Sequence, residues 1–316
     1  MNDGYMINPR KVKFLTRLRR QWRLQLIIIA GLVFLGIFSY APMLGIIISF
    51  KSYRITSGIM GFFTSPWVGL KWFREFFTGH TFWSITRNTV VLSALKLVIA
   101  FPLPIMFALM INEIRRPLFK RFVQTSSYLP HFISWIIVAG LCTTMFSTLN
   151  GLVNELLLKL KLIEKAIPVL TDPKYYWRLA IVSEIWKEMG WNAIIFIAAI
   201  SGVDSTMYEA AEIDGASRLR RIWHVTLPCI SGTIVIMLIL AIGGLVNGNL
   251  EQALLLGNLI NRERSDIIQS YVIRVGLSDL RFDYAAAVGL VQSVISIMLV
   301  FGSNSLSRKI SGNALY

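Results

Sequence analysis

The sequence predicts an all-α membrane bundle of six transmembrane helices, and three observations carry that expectation. Of the 316 residues, 55% are hydrophobic and only 16% charged, and the mean hydropathy is +0.60, too apolar for a water-soluble domain of this length. The apolar residues gather into six runs, 24–50, 88–112, 127–149, 178–202, 232–256 and 284–306, each near or above the roughly 20 residues that cross a bilayer. Most charged residues fall between those runs, where they set topology and meet lipid headgroups. A formal charge of +15 would suggest nucleic acid in a soluble chain. Interleaved with membrane-length apolar segments, it does not.

Taken in order, the first run follows the basic residues Lys11, Lys13, Arg17, Arg19, Arg20 and Arg23. It is too long for a signal-peptide core and lacks a small-residue cleavage site, so it reads as a retained helix behind an amphipathic cytosolic segment. Pro42 in the first run and Pro102 and Pro104 in the second predict kinks, which membrane helices tolerate when neighbours satisfy the freed carbonyls. Residues 51–87 are rich in aromatics, among them Tyr53, Phe63, Trp67, Trp72, Phe76 and Trp83. They read as an interfacial belt or a short amphipathic helix on the outer surface, with docking of an external partner as the alternative. The basic amino terminus, together with Arg115, Arg116, Lys120 and Arg121 in the second loop and Arg308 and Lys309 at the end, places both termini in the cytoplasm. The outer loops are also basic: Lys51, Lys71, Arg87, Lys174, Arg178, Arg262, Arg264, Arg274 and Arg281 are among residues that outnumber the acidic ones there. That excess predicts an anionic solute. The chain divides into 1–83 (the cytosolic segment, first span and outer loop), a core 84–306 containing a loop at 203–231, and a cytosolic tail 307–316. The outer loop between the third and fourth spans is expected to be helical. Cys142 and Cys229 fall in an apolar run and at the end of a cytosolic loop, which makes a disulfide between them unlikely to serve the fold.

The strongest local signal is Glu209, Ala210 and Ala211, then Asp214, Gly215 and Ala216, then Leu227 and Pro228. Residues 206–213 read as a short helix ended by a turn at Gly215, and Ser217 reads as the cap of a second short helix that runs to Pro228. Small and acidic residues displayed on such a hairpin suit close approach of a protein surface rather than chemistry. The pattern resembles the EAA loop of the permeases of binding-protein-dependent ABC importers, with all eight positions in register. Looser likeness, through Asn150–Asn154, Trp186–Gly190 and Asn247–Gln252, extends over roughly 84–306 and points to the oligosaccharide and polysaccharide branch. The resemblance implies that these eight residues dock a cytosolic ATPase. It also implies a second permease, identical or homologous, two ATPase subunits and an external substrate-binding protein.

No Gly-x-x-x-x-Gly-Lys-Ser/Thr phosphate loop occurs, so energy has to come from another subunit. His80, His131 and His224 have no metal-ligand spacing, and neither a metal nor a cofactor is expected. Charges inside spans are costly and normally face inward. Lys96, Glu184, Glu188, Asn192, Asn247, Glu251, Gln252, Gln292 and Ser296 are therefore the candidates to line a translocation path. Lys187 is expected to pair with Glu184 at helical spacing, and Lys96 with Glu184 or Glu188 at similar depth. A secondary transporter would leave the Glu209–Pro228 pattern without a purpose. A membrane enzyme would need a nucleophilic or acidic cluster at a membrane face that the sequence does not show.

Overall fold

The computed structural model describes residues 21–311. The amphipathic amino-terminal segment, with Lys11, Lys13, Arg17, Arg19 and Arg20, lies outside the described residues, as does the tail beyond Ser311. Helices make up nearly all the regular structure, and extended pairing among the described residues is limited to one bridge, Lys51 to Trp67. We number the helices α1 (Trp22–Phe50), α2 (Lys71–Thr78), α3 (His80–Asn112), α4 (Pro117–Phe132), α5 (Trp135–Phe146), α6 (Leu152–Lys159), α7 (Pro173–Ser201), α8 (Ser205–Ile213), α9 (Arg218–Asn247), α10 (Leu250–Leu256), α11 (Arg262–Ser265), α12 (Ile268–Ile273) and α13 (Phe282–Ser311).

Four of these, α1, α3, α9 and α13, are long and apolar enough to span a membrane alone. Two further pairs pass the same length and composition test only together, α4 with α5, bent by 99°, and α7 with α8, bent by 72°; in the second pair the 29 residues of α7 supply the membrane length. Three sequence boundaries need correction. The third span does not run from 127 to 149, because the chain turns at Ile133 and Ser134 and the hydroxyl of Ser134 caps α5 by accepting from the Ile137 amide. The fifth span does not reach 256. It ends at Asn247, where Gly248 takes φ +60°, a conformation that disfavours any side chain, and the chain continues as the separate short helix α10. The last helix continues through Ser311, past the boundary drawn at 306.

The expected proline kinks take one shared form. Gly36–Tyr40, Lys96–Ala100 and Ile222–Thr226 are π-helical turns, and each ends two residues before a proline: Pro42, Pro102 and Pro228. Proline lacks an amide proton and its ring crowds the carbonyl one turn back. The widened turn re-routes the ladder, as in the Phe101 amide, which donates to the Lys96 carbonyl at 2.8 Å, so the helix bends without ending. This also corrects the expectation that the helix begun at Ser217 stops at Pro228: it passes through the proline into the membrane.

Packing centres on three clusters. Ala108 of α3, Ala193, Phe196 and Ile200 of α7 and Ile230 of α9 form one, where small residues let the three helices approach closely. Trp135, Val138 and Cys142 of α5 meet Tyr176, Leu179 and Ala180 of α7 in another. The third takes part of the aromatic loop: Trp72 and Phe76 are buried against Ile85, Ile268, Tyr284 and Val288, and the Trp72 indole donates to the Lys51 carbonyl at 2.8 Å. The 51–87 segment is thus a folded cap, with Phe63, Trp67 and Trp83 left exposed, rather than a belt throughout. No residue of α1 between Trp22 and Met43 is buried, so α1 joins the bundle only near its carboxyl end.

Candidate functional site

Between α3, α7 and α9 lies a cavity of about 240 Å³ bordered by Lys96, Glu184, Glu188 and Asn192 together with apolar side chains of α9. Lys96 begins the π turn of α3, and its ammonium lies 3.2 Å from Glu184 Oε1. The pairing inferred from matched depth is therefore present. Asn249, the cap of α10, donates to Glu184 Oε2 at 2.8 Å, so both carboxylate oxygens are occupied by donors from different elements.

Lys187 does not pair with Glu184. It is buried, donates to the His131 carbonyl at 2.6 Å and lies 3.0 Å from Glu188 Oε1. The bend between α4 and α5 is the reason: it strips the last carbonyls of α4 of helical partners and presents one of them to α7. Glu188 Oε2 is 2.7 Å from His131 Nδ1, and the imidazole stacks on Trp191 with centroids 4.2 Å apart. Each carboxylate at this level thus faces a cation on the protein, which offsets the desolvation that makes buried charge expensive.

The other path candidates do not join the cavity. Gln252 is buried as a brace, donating to the Ala180 carbonyl at 2.7 Å and to Ser183 Oγ at 3.0 Å. Gln292 donates to the Val246 carbonyl and to Asn247 Oδ1, both at 3.2 Å, tying α13 to the end of α9. Glu251 is exposed in the first turn of α10, where a negative charge suits the helix dipole. Ser296 lies apart, with a buried hydroxyl that has no hydrogen-bond partner. Sequence reasoning missed Asn249 and His131 as partners of the two glutamates. The Gly248–Asn249 pair carried a turn-and-cap signal that would have found the first.

The loop at 203–231 is a helical hairpin. Asp204 caps α8 by accepting from the Thr206 amide at 2.9 Å. Its far end closes with the Ala216 amide donating to the Ala211 carbonyl at 2.9 Å and the Gly215 amide to the Glu212 carbonyl at 3.0 Å. These are the two bonds of a Schellman motif, and Gly215 takes the required φ of +74°. The Ala-Ala and Asp-Gly-Ala spacing is thus the spacing of one helix stop. Tyr208 Oη lies 3.0 Å from Thr226 Oγ1, and Arg221 pairs with Glu212 at 3.2 Å, which binds the two arms together. Glu209, Ala210, Asp214, Gly215 and Pro228 are exposed, while Ala211, Ala216 and Leu227 are half-buried. Ile213, Leu219 and Trp223 add a large exposed apolar surface, Ile213 at 87%.

Compensated charges that border a cavity between membrane-length helices suit the passage of a solute, and the class of protein is a membrane permease. Residues 100–311 match the family described as "Binding-protein-dependent transport system inner membrane component", and the chain belongs to that family, the membrane subunits of ABC importers whose ATPase is a separate subunit. "Protein LplB" of Bacillus subtilis (strain 168) is 41% identical over 96% of this chain and 94% of its own length. The "Polygalacturonan/rhamnogalacturonan transport system permease protein YteP" of the same organism is 42% identical over 97% and 94%. A chain of the bacterial alginate ABC transporter, solved in complex with an alginate pentasaccharide-bound periplasmic protein, superposes with a TM-score of 0.88 at 35% identity, covering 96% of this chain and 99% of that one.

Proposed function

We propose that this permease passes a carboxylate-bearing oligosaccharide inward, with α8 and the 203–231 hairpin docked on a cytosolic ATPase. In this reading both termini lie in the cytoplasm, and the cap at 51–87 with the α10–α12 segment faces an external binding protein. The working unit is this chain, a second permease, two ATPases and that binding protein. The solute class is supported by the basic excess of the outer loops and by the acidic polymers named for the relatives above. The hairpin carries the proposal: its exposed Ile213, Leu219 and Trp223 form an apolar face on a polar loop, which calls for a protein cover.

Mechanically, α8 continues from α7 through the bend at Gly202–Asp204 and leads through Gly215 into α9, so a displacement imposed on the hairpin acts on two of the three helices that wall the cavity. The Tyr208–Thr226 and Glu212–Arg221 contacts make the hairpin move as one body, and rigid-body motion is the minimal way to alternate access. The test is ATPase capture by Gly215→Pro and Ala211→Trp variants. Proline removes the Gly215 amide bond and cannot take φ +74°, and tryptophan fills the groove side of the helix. Both variants are expected to insert normally and to lose the ATPase and uptake together. Normal capture and uptake in both would refute the docking role.

A further inference from the structure

On the outer side of the compensated cavity, α3 and α7 carry a second cluster of charges that is only partly compensated. Arg87 lies on α3 nine residues before Lys96, and Trp177 on α7 seven residues before Glu184, so at 1.5 Å per residue the cluster sits about 10–14 Å further out. The short helix α11 lies across them and brings Arg264. The guanidinium carbons of Arg264 and Arg87 are 4.7 Å and 5.8 Å from the centroid of the Trp177 indole, within cation–π range. The backbone that carries Arg264 is fixed from below. Trp177 Nε1 donates to its carbonyl at 3.1 Å, and the fully buried Asn88 donates to the carbonyls of Glu263 and Asp266, both at 2.9 Å.

This arrangement holds no tightly bound anion among the described residues. Arg264 has no carboxylate within 4.0 Å among the described residues, and the contact of Arg87 with Glu263 is a loose 3.5 Å to a side chain that is 66% exposed. Charge-assisted bonds of this kind normally close to about 2.7–2.9 Å, so Glu263 is easily displaced. Asp172 is held below the usual carboxylate range first by hydrogen bonds from Lys174 and only last by Arg264. The Nε atoms of both arginines are buried without a partner, which leaves the terminal nitrogens as the groups available to a ligand.

We propose that Arg87 and Arg264, held on Trp177, form a carboxylate-receiving subsite at the outer mouth, which takes an acidic sugar residue of the incoming oligosaccharide before it reaches the Lys96–Glu184 level. The planar fork of arginine matches a carboxylate in two-point contact, and two forks held by one indole lose little freedom on binding. A cationic mouth above a charge-neutral wall captures a polyanion without trapping it further in. This inference rests on the orientation and solute class proposed above.

The experiment uses the complete transporter in liposomes, with its ATPases and binding protein, supplied with a galacturonic acid tetrasaccharide or its carboxyl-reduced neutral counterpart. Arg87→Gln, Arg264→Gln, the double variant and Arg264→Lys are compared for uptake, and the affinity of the binding protein for the complex is measured alongside. The double variant is expected to lower the ratio of acidic to neutral uptake roughly tenfold or more, the scale of one lost charge-assisted hydrogen bond. The lysine variant should recover part of that ratio, and binding-protein affinity should stay within twofold. An unchanged ratio overturns the subsite, and so does a loss that follows weakened docking of the binding protein with either solute. Failure of the unmodified transporter to move either saccharide would instead defeat the functional reading on which the subsite rests.

Discussion

Lys96→Met removes one member of a pair held at 3.2 Å and leaves Glu184 with Asn249 as its only donor. Breaking a fully buried ion pair from one side costs about 3–5 kcal/mol. Here the two side chains keep 21% and 17% of their exposure and border a cavity of about 240 Å³, which is roomy and polar enough to admit water. We therefore expect about 2 kcal/mol. Lys96→Ala should be worse, because methionine keeps the volume of the lysine stem while alanine also enlarges the void. Since the site already borders a cavity, the further loss should be no more than about 1 kcal/mol. Glu184→Gln should cost a similar amount to Lys96→Met by leaving the ammonium uncompensated. The double variant Lys96→Met, Glu184→Gln should then recover about 1–3 kcal/mol relative to the sum, as expected for groups in one network. Thermal unfolding of the detergent-solubilised complex reads this out, at roughly 2 °C per kcal/mol for a chain of this size. Single-variant losses that add to within about 0.5 kcal/mol would refute the pairing, and an alanine variant more stable than the methionine variant would refute the volume argument.

Two further outcomes follow from local geometry. A Cβ on Gly190 would meet the Ser127 carbonyl oxygen at 2.1 Å, so Gly190→Ala has to push α7 off α4. It should destabilise the complex by about 1–3 kcal/mol, seen as a lower midpoint in the same unfolding assay. The carboxyl of Asp204 is held below its ordinary value, first by the hydrogen bond from the Thr206 backbone amide and then by its side chain. A depressed carboxylate pKa contributes stability that is present above the unfolded value of about 3.9 and is lost as pH falls through the folded value. Amide exchange in Ser205–Ile213 should therefore accelerate below about pH 4 beyond the intrinsic trend. Asp204→Asn keeps an acceptor at the cap and should remove that extra acid dependence.

Spans and the loop motif were legible because each rests on a local rule. Six apolar runs satisfy a length requirement, and Ala211, Asp214, Gly215 and Ala216 occupy the positions that one helix stop demands. The breaks at Ser134 and Gly248 were harder, because apolar residues flank both and a window of roughly 20 residues averages over the few polar ones, Asn247, Asn249, Glu251 and Gln252 at the second break. Only the cap residues Ser134 and Asn249 mark the change of direction. The partner of Lys187 was beyond the sequence. Helical spacing offered Glu184, but the competing acceptor is a carbonyl that exists only because α4 stops and the chain turns, a fact of tertiary structure. In the same way Gln252 and Gln292 looked like path residues by composition and serve as braces, since a buried amide that finds backbone carbonyls meets the same physical need as one that faces water.

The polar contacts of α7 show how a push at one end could be felt at the other. At the cavity level the helix is tied to α3 through Glu184 and Lys96, to the cap of α10 through Glu184 and Asn249, and to the α4–α5 bend through Lys187, Glu188 and His131. A close backbone approach lies at the same level, where Gly190, between the cavity residues Glu188 and Asn192, meets Ser127. A contact that admits no Cβ resists separation on one side and compression on the other, whereas side-chain hydrogen bonds exchange partners at small cost. Tilting of α7 about Gly190 would therefore keep the backbone contact and redistribute the bonds of Glu184 and Glu188. Those bonds link α10 and the α4–α5 bend to the helix that leads into the hairpin. Rearrangement at the Lys96–Glu184 level and movement of α8 are in that case two ends of one rigid element, and no chain of small intermediate shifts is needed between them.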